Sequence, residues 1–217
     1  VTFFMLLSAA IGWAYGDDFH SLRALLLSSV ISLLICVSLQ MTTKGHHELS
    51  RRDGFLVVVL GWLITSVLGS LPYYLGGTIP DFMGALFETM SGLTTTGASV
   101  MTNLESLPRG ILFWRAVTHL IGGMGILILC VAILPFLGMG GMQIYRAETP
   151  GPTKDRLTPR IATTAKMLWG VYMILILILA ILLRLGGMDW FDAVCHSFAT
   201  IATGGFSTRT DSIAAYN

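Results

Sequence analysis

Asp81–Ser99 reads DFMGALFETMSGLTTTGAS, and Asp189–Ser207 reads DWFDAVCHSFATIATGGFS. A shift of 108 residues lays the first over the second without a gap. Five of the 19 positions are identical: Asp81/Asp189, Ala85/Ala193, Thr95/Thr203, Gly97/Gly205 and Ser99/Ser207. Apolar or aromatic pairs such as Phe82/Trp190, Met83/Phe191 and Leu86/Val194 fill much of the rest. Each copy follows a full-length apolar stretch, and the first also precedes one, so the repeating unit reads as helix, half-inserted segment, helix.

The surrounding chain explains why these segments belong in a membrane. Of 217 residues, 54% are hydrophobic and only 12% charged, about half the charge of a soluble domain. The mean hydropathy is +0.75. A net charge of +1 excludes bulk attraction to nucleic acid. Crossing a bilayer takes about 20 mainly apolar residues, and five stretches free of Asp, Glu, Lys and Arg are candidates: Val1–Gly16, Ala24–Thr43, Phe55–Pro80, Ala116–Tyr145 and Met167–Leu183. The two repeated segments do not fit that pattern. Glu88 and a run of hydroxyl residues interrupt the first, and Asp192 and His196 the second, so each is too polar for lipid and too apolar for an aqueous loop.

Basic residues are retained on the cytoplasmic side. Eight of the 13 fall in two connecting stretches: Lys44, Arg51 and Arg52, then Arg146, Lys154, Arg156, Arg160 and Lys166. The opposite side collects eight of the 12 acids: Asp17, Asp18, Asp81, Glu88, Glu105, Asp189, Asp192 and Asp211. The N-terminus is therefore expected inside and both repeated segments on the outer side. The opening apolar run lacks a basic leader, which argues for a clipped first helix over a cleaved signal peptide.

Asp81 and Asp189 stand where short helices would begin, and an acid there accepts hydrogen bonds from free N–H groups and offsets the positive helix end. Helices from about Asp81 to Gly92 and Asp189 to Thr200 would aim their carboxyl ends, which carry partial negative charge, into the membrane. Immediately beyond come Thr94-Thr95-Thr96-Gly97 and Ala202-Thr203-Gly204-Gly205. Non-helical backbone at that depth must be buried in protein or line water. Freed carbonyls around a water-filled axis make a cation site, threonine hydroxyls add ligands, and glycine permits the dihedrals that turn successive carbonyls one way.

The runs SGLTTTGAS (Ser91–Ser99) and FATIATGGFST (Phe198–Thr208), with FWR at Phe113–Arg115, IGGMGI at Ile121–Ile126 and AILPFLGMGGMQIYRAETPGP at Ala132–Pro152, resemble the Trk potassium-uptake membrane subunits of bacteria, in the Trk/Ktr/HKT superfamily. The resemblance runs through nearly the whole chain. It implies an all-α polytopic membrane protein of helix–pore loop–helix repeats, preceded by two extra helices. Residues 1–43 would be those helices and 44–54 a cytoplasmic loop. Residues 55–137 would be repeat one with pore loop 81–99, 138–166 a basic cytoplasmic loop, and 167–217 an incomplete repeat two with pore loop 189–207. The family has four repeats, so the chain is expected to be a piece of a longer protein. The candidate potassium-binding residues are Thr94, Thr95, Thr96 and Gly97 in one copy and Ile201, Ala202, Thr203, Gly204 and Gly205 in the other. Also implied are potassium as the bound ion without an organic cofactor, the bacterial cytoplasmic (inner) membrane as location, a homodimer, and a cytosolic nucleotide-binding regulatory subunit, for which the basic loop would be a dock.

Glu88 and its repeat partner His196 either tune the potential at the loops or hydrogen-bond the helices behind them, and the structural role is the expected one. Arg115 and His119 share a helical face; Arg115 would pair with Glu88 or Glu105, or snorkel to the interface. Gly122-Gly123-Met124-Gly125 lacks the strand and lysine of a phosphate loop and reads as close helix packing. Gly138, Gly140 and Gly141 read as a helix exit, and His46-His47-Glu48 as a solvated turn without metal-site spacing. Cys36, Cys130 and Cys195 read as small core residues. Two other functions stay open at this level: a transporter for another cation or solute on broken helices, and an intramembrane enzyme, against which the acids and histidines are dispersed.

Overall fold

The computed structural model describes the backbone of residues 1–42, 51–137 and 157–216, and the side chains of 1–41, 56–126 and 163–216. Among the described residues every regular element is helical. The order is α1 (Thr2–Ala14), α2 (Phe19–Thr42), α3 (Arg51–Leu75), α4 (Phe82–Leu93), α5 (Arg109–Leu137), α6 (Leu157–Leu185) and α7 (Trp190–Ile201), with short 3-10 turns at Leu104–Ser106 and Ser212–Tyr216. The chain is an all-α polytopic membrane protein. Phe19–Met41, Leu56–Leu75 and Thr163–Leu185 are each long and apolar enough to cross a bilayer. Exposed Leu34, Val57, Val171 and Leu177 cover these helices with an apolar outer surface, the surface lipid demands.

The helix boundaries differ from the charge-free stretches for physical reasons. Helix α3 stops at Leu75, short of Pro80, because Gly76 and Gly77 turn the chain and Gly77 takes φ +65°. Helix α6 starts at Leu157, well ahead of Met167; Pro159 lies in its first turn, where a missing N–H costs no hydrogen bond. Helix α5 starts at Arg109 rather than Ala116, because Arg109 and Arg115 are held by protein rather than offered to lipid.

Helix α5 is the centre of the fold. Every residue from Gly110 to Leu120 is buried, the pattern of a helix covered on all sides, and α1, α4, α6 and α7 pack around it. Met5, Leu25, Tyr73, Trp114, Val117 and Phe191 form the main cluster. The Trp114 indole donates to the Gly69 carbonyl at 3.0 Å, tying α5 to α3. At its start, Arg109 N and Gly110 N donate to the two Asp17 carboxylate oxygens at 2.9 and 2.7 Å. The turn between α1 and α2 thus supplies a charge-assisted cap for a helix 92 residues away.

Two minor expectations need correcting. Cys195 is buried, but Cys36 is exposed on α2; its small apolar side chain suits the outer surface as well as a core. Cys130 and the His46-His47-Glu48 turn lie outside the described side chains, as do Gly138, Gly140 and Gly141.

Candidate functional site

Helices α4 and α7 have 12 residues each, too few to cross a bilayer. Asp81 caps α4, accepting from Gly84 N at 2.8 Å. Asp189 holds the same backbone position before α7, but its side chain accepts no capping hydrogen bond. The expected carboxylate cap is therefore present in one copy only. The nearby acid Asp192 is turned inward, so the first turn of α7 carries its negative charge in the interior instead.

Both short helices end in the same turn, with three matching bonds. Thr94 N donates to Met90 O, Thr95 N to Gly92 O and Thr96 N to Ser91 O, at 2.8, 3.1 and 2.9 Å. In the second copy Ala202 N donates to Phe198 O, Thr203 N to Thr200 O and Gly204 N to Ala199 O, at 3.1, 2.9 and 2.8 Å. This is a Schellman ending, whose left-handed residue is usually glycine. Here it is threonine twice: Thr95 at φ +53° and Thr203 at φ +56°. A left-handed threonine costs about 1–2 kcal/mol, and such strain persists where surrounding contacts impose it. Gly97 at φ +77° and Gly205 at φ +93° follow two residues on. Among the described residues, no donor bonds the carbonyls from Thr94 to Gly97 or from Ala202 to Gly205.

The turns are clamped together and against α5. A Cβ on Gly97 would lie 1.9 Å from the Gly204 carbonyl oxygen, so the two exit segments are direct neighbours. One on Gly122 would lie 2.1 Å from Leu93 O, at the end of α4. One on Gly123 would meet the Tyr172 hydroxyl at 2.4 Å and Ala202 Cα at 3.2 Å, at the end of α7. The IGGMGI run is thus the surface on which both half-helices end, which is the close packing that small residues permit. Gly204 in turn leaves room for the His119 ring, whose atoms would be 2.4–2.5 Å from a Cβ there.

Polar groups repeat behind the turns as well. Ser99 Oγ donates to Glu88 Oε1 at 2.9 Å, and Ser207 Oγ lies 3.0 Å from His196 Nε2 at the equivalent positions. Met101 N and Arg209 N each donate to the serine two residues earlier. Glu88 also accepts from Val100 N at 2.9 Å and from Arg115 Nε at 2.7 Å. Both partners of that ion pair are buried, and removing one partner of such a pair costs about 3–5 kcal/mol. Asp192 takes the corresponding burden in the second copy, accepting from Thr208, Arg209 and Tyr216, with the Arg109 guanidinium 3.5 Å away.

Thr94, Thr96, Thr203 and Gly205 are exposed on the exit segments, with Thr95 and Gly97 half-buried beside them. Ile201 closes the last turn of α7, Ala202 faces Gly123, and Gly204 backs onto His119. His196 bonds the Asp192 carbonyl of its own helix and its own exit segment, not a neighbouring helix. Arg115 is paired with Glu88 and buried, so it does not snorkel; Glu105 instead bonds Thr210, accepting from its backbone N at 2.8 Å and its hydroxyl at 2.6 Å. Sequence reasoning missed the Asp17 cap, the Asp192 cluster and the stacking of His119 on Phe206 at 4.1 Å. The repeat offset, which aligns Ser99 with Ser207 and Glu88 with His196, signalled the matched serine bonds behind the turns but none of these three features.

Paired half-length helices with left-handed, carbonyl-bearing exits, set among helices long enough to cross a bilayer, define a polytopic membrane protein with short re-entrant elements. The comparisons specify which one. The family model described as "TrkH: Cation transport protein" matches residues 22–217, and the chain belongs to this family. The Trk system potassium uptake protein TrkH of Escherichia coli strain K12 is 54% identical over 175 residues, covering 78% of this chain and 36% of that protein. TrkG of the same strain is 44% identical over 178 residues, covering 81% and 37%. The crystal structure of the potassium transporter TrkH from Vibrio parahaemolyticus matches with a TM-score of 0.82 at 41% identity, over 96% of this chain and 42% of that one. The chain spans a little over a third of the length of the curated relatives it matches.

Proposed function

We propose that this chain supplies two of the segments that bind potassium in a Trk-type uptake pore of the bacterial cytoplasmic membrane. The observation that carries the reading is the pair of matching left-handed exits at Thr95 and Thr203, with free carbonyls in the residues that follow. Two segments that share five of 19 residues hold their common threonine in one strained conformation, which serves ligand geometry better than stability. Potassium sheds water and gains carbonyl and hydroxyl oxygens from Thr94–Gly97 and Ile201–Gly205. The negative ends of α4 and α7 favour a cation at that point. No covalent step is involved, so no residue is assigned a catalytic role.

The potassium uptake named for the E. coli relatives supports this choice of ion. The N-terminus lies in the cytoplasm on this reading, and 55–137 and 167–217 act as successive helix–pore loop–helix units. A homodimer and a cytosolic nucleotide-binding subunit complete the assembly. The test is rescue of a bacterium lacking its own potassium uptake by the full-length native protein at low external potassium. Growth restored by wild type and lost with Gly97→Ala fits the reading. No rescue by wild type that has reached the membrane would contradict it.

A further inference from the structure

One side chain behind the exits bonds the second directly and the first through Glu88. Arg115, 3% exposed, donates from Nε to Glu88 Oε1 at 2.7 Å and from a terminal nitrogen to the Ser207 carbonyl at 2.8 Å. Glu88 in turn accepts from Ser99 Oγ and Val100 N. Ser99 and Ser207 are equivalent in the repeat, each two residues beyond its glycine. A single guanidinium therefore links matching points of the two segments. The Phe206 ring centroid is 3.6 Å from the same guanidinium and 4.1 Å from the His119 ring, which stacks the linkage against the second segment.

We propose that Arg115, paired with Glu88, is a positioning residue that sets ion selectivity by fixing the separation of the two exit segments. This rests on the reading that those segments bind potassium. Discrimination between cations of the same charge depends on where the ligand oxygens are held and how firmly. The two segments meet at Gly97 and Gly204 and again at Glu105 and Thr210 further out; between these points the link from Ser99–Val100 through Glu88 and Arg115 to Ser207 keeps them from sliding past one another. Arginine suits the task because its planar fork bonds a carboxylate and a carbonyl at once, which a lysine ammonium does not reproduce. Glu88 cancels the positive charge that would otherwise sit behind a cation path. Folding could be secured by an apolar core at this point, whereas registration of two polar strands needs directional bonds.

The full-length native protein is reconstituted in liposomes as wild type and as Arg115→Lys, with size exclusion reporting the fold, and potassium and sodium fluxes are measured separately. Arg115→Lys keeps the charge beside Glu88 and loses the fork. Potassium flux should persist while the potassium-to-sodium ratio falls about tenfold, a change of one decade in relative affinity. An unchanged ratio in monodisperse Arg115→Lys overturns the proposal, and so does parallel loss of both fluxes at constant ratio, the mark of a merely structural role. Ser99→Ala removes one Glu88 donor and leaves the ion pair; its ratio should fall in the same direction by a smaller factor. If Arg115→Lys is not monodisperse, Ser99→Ala decides, an unchanged ratio overturning the proposal. Wild type without potassium preference would defeat the underlying reading as well, a result distinct from selective wild type with selective variants.

Discussion

Replacing Gly97 by alanine puts a methyl carbon 1.9 Å from the Gly204 carbonyl oxygen. Ordinary contact begins near 3.4 Å, so one segment must retreat by roughly 1.5 Å, far beyond what a packed backbone absorbs without rearranging. The new residue also sits at φ +77°, adding about 1–2 kcal/mol of left-handed strain. Gly205 is the control. Its φ is +93°, yet a Cβ there meets nothing within 4 Å, so Gly205→Ala carries backbone strain alone, a factor of about 5–30 in the ratio of native to alternative turn conformations. Potassium uptake into proteoliposomes should fall to background for Gly97→Ala and by at most about 5–30-fold for Gly205→Ala, with both proteins still inserted and monodisperse. Wild-type uptake and selectivity in Gly97→Ala, or greater damage from Gly205→Ala, would refute the reasoning that contact between the two segments matters.

Asp17→Ala strips the cap from α5 and should lower stability by about 0.5–2 kcal/mol, read as a fall in the detergent melting temperature; an unchanged melt would contradict the long-range cap. Gly122→Ala, with its Cβ 2.1 Å from Leu93 O, should cost about 1–3 kcal/mol or more by overpacking, measured the same way. The hydroxyl and then the backbone N–H of Thr210 hold the Glu105 carboxyl below its ordinary value of 4.5. Its folded pKa is depressed, so the clasp contributes fully above pH 4.5 and is lost as pH falls through the lowered value. Glu105→Gln should remove that part of the acid dependence of melting, and an identical pH profile would count against the clasp. Reporter fusions at Gly45 and Thr153 should read as cytoplasmic and those at Asp18 and Asn103 as external; a cytoplasmic Asn103 would invert the topology.

The half-helices were legible because they obey a local rule. A 12-residue amphipathic stretch behind an aspartate and ahead of Thr-Gly or Gly-Gly carries its boundaries in its own sequence, and both helices end within one residue of the expected place. The strain was not legible. Thr95 and Thr203 are poor choices for a left-handed turn, and only the fold imposes that conformation on them. Buried charges also misled the search for spanning stretches. Arg109 and Arg115 broke the apolar pattern of α5, yet Glu88 holds Arg115 inside and buried Asp192 pairs with the half-buried Arg109. These pairings join residues 27 and 83 positions apart, and no local pattern chooses one acid over another. The fate of Arg115 was open between Glu88, Glu105 and the interface, and the register between α4 and α5 decided it. Asp17 gave even less warning, since an aspartate beside Asp18 at the start of α2 looks like a cap for its own helix. Asp18 fills that role, accepting from Ser21 and His20.

The central claim is that the matching exits at Thr94–Gly97 and Ile201–Gly205 select potassium. Its most direct test is side-by-side flux of potassium, sodium and a small neutral solute through the full-length native protein in liposomes. Potassium moving faster than sodium, with the neutral solute excluded, is the result expected from carbonyls that replace an ion's water. Equal passage of the two cations, or entry of the neutral solute, would contradict it.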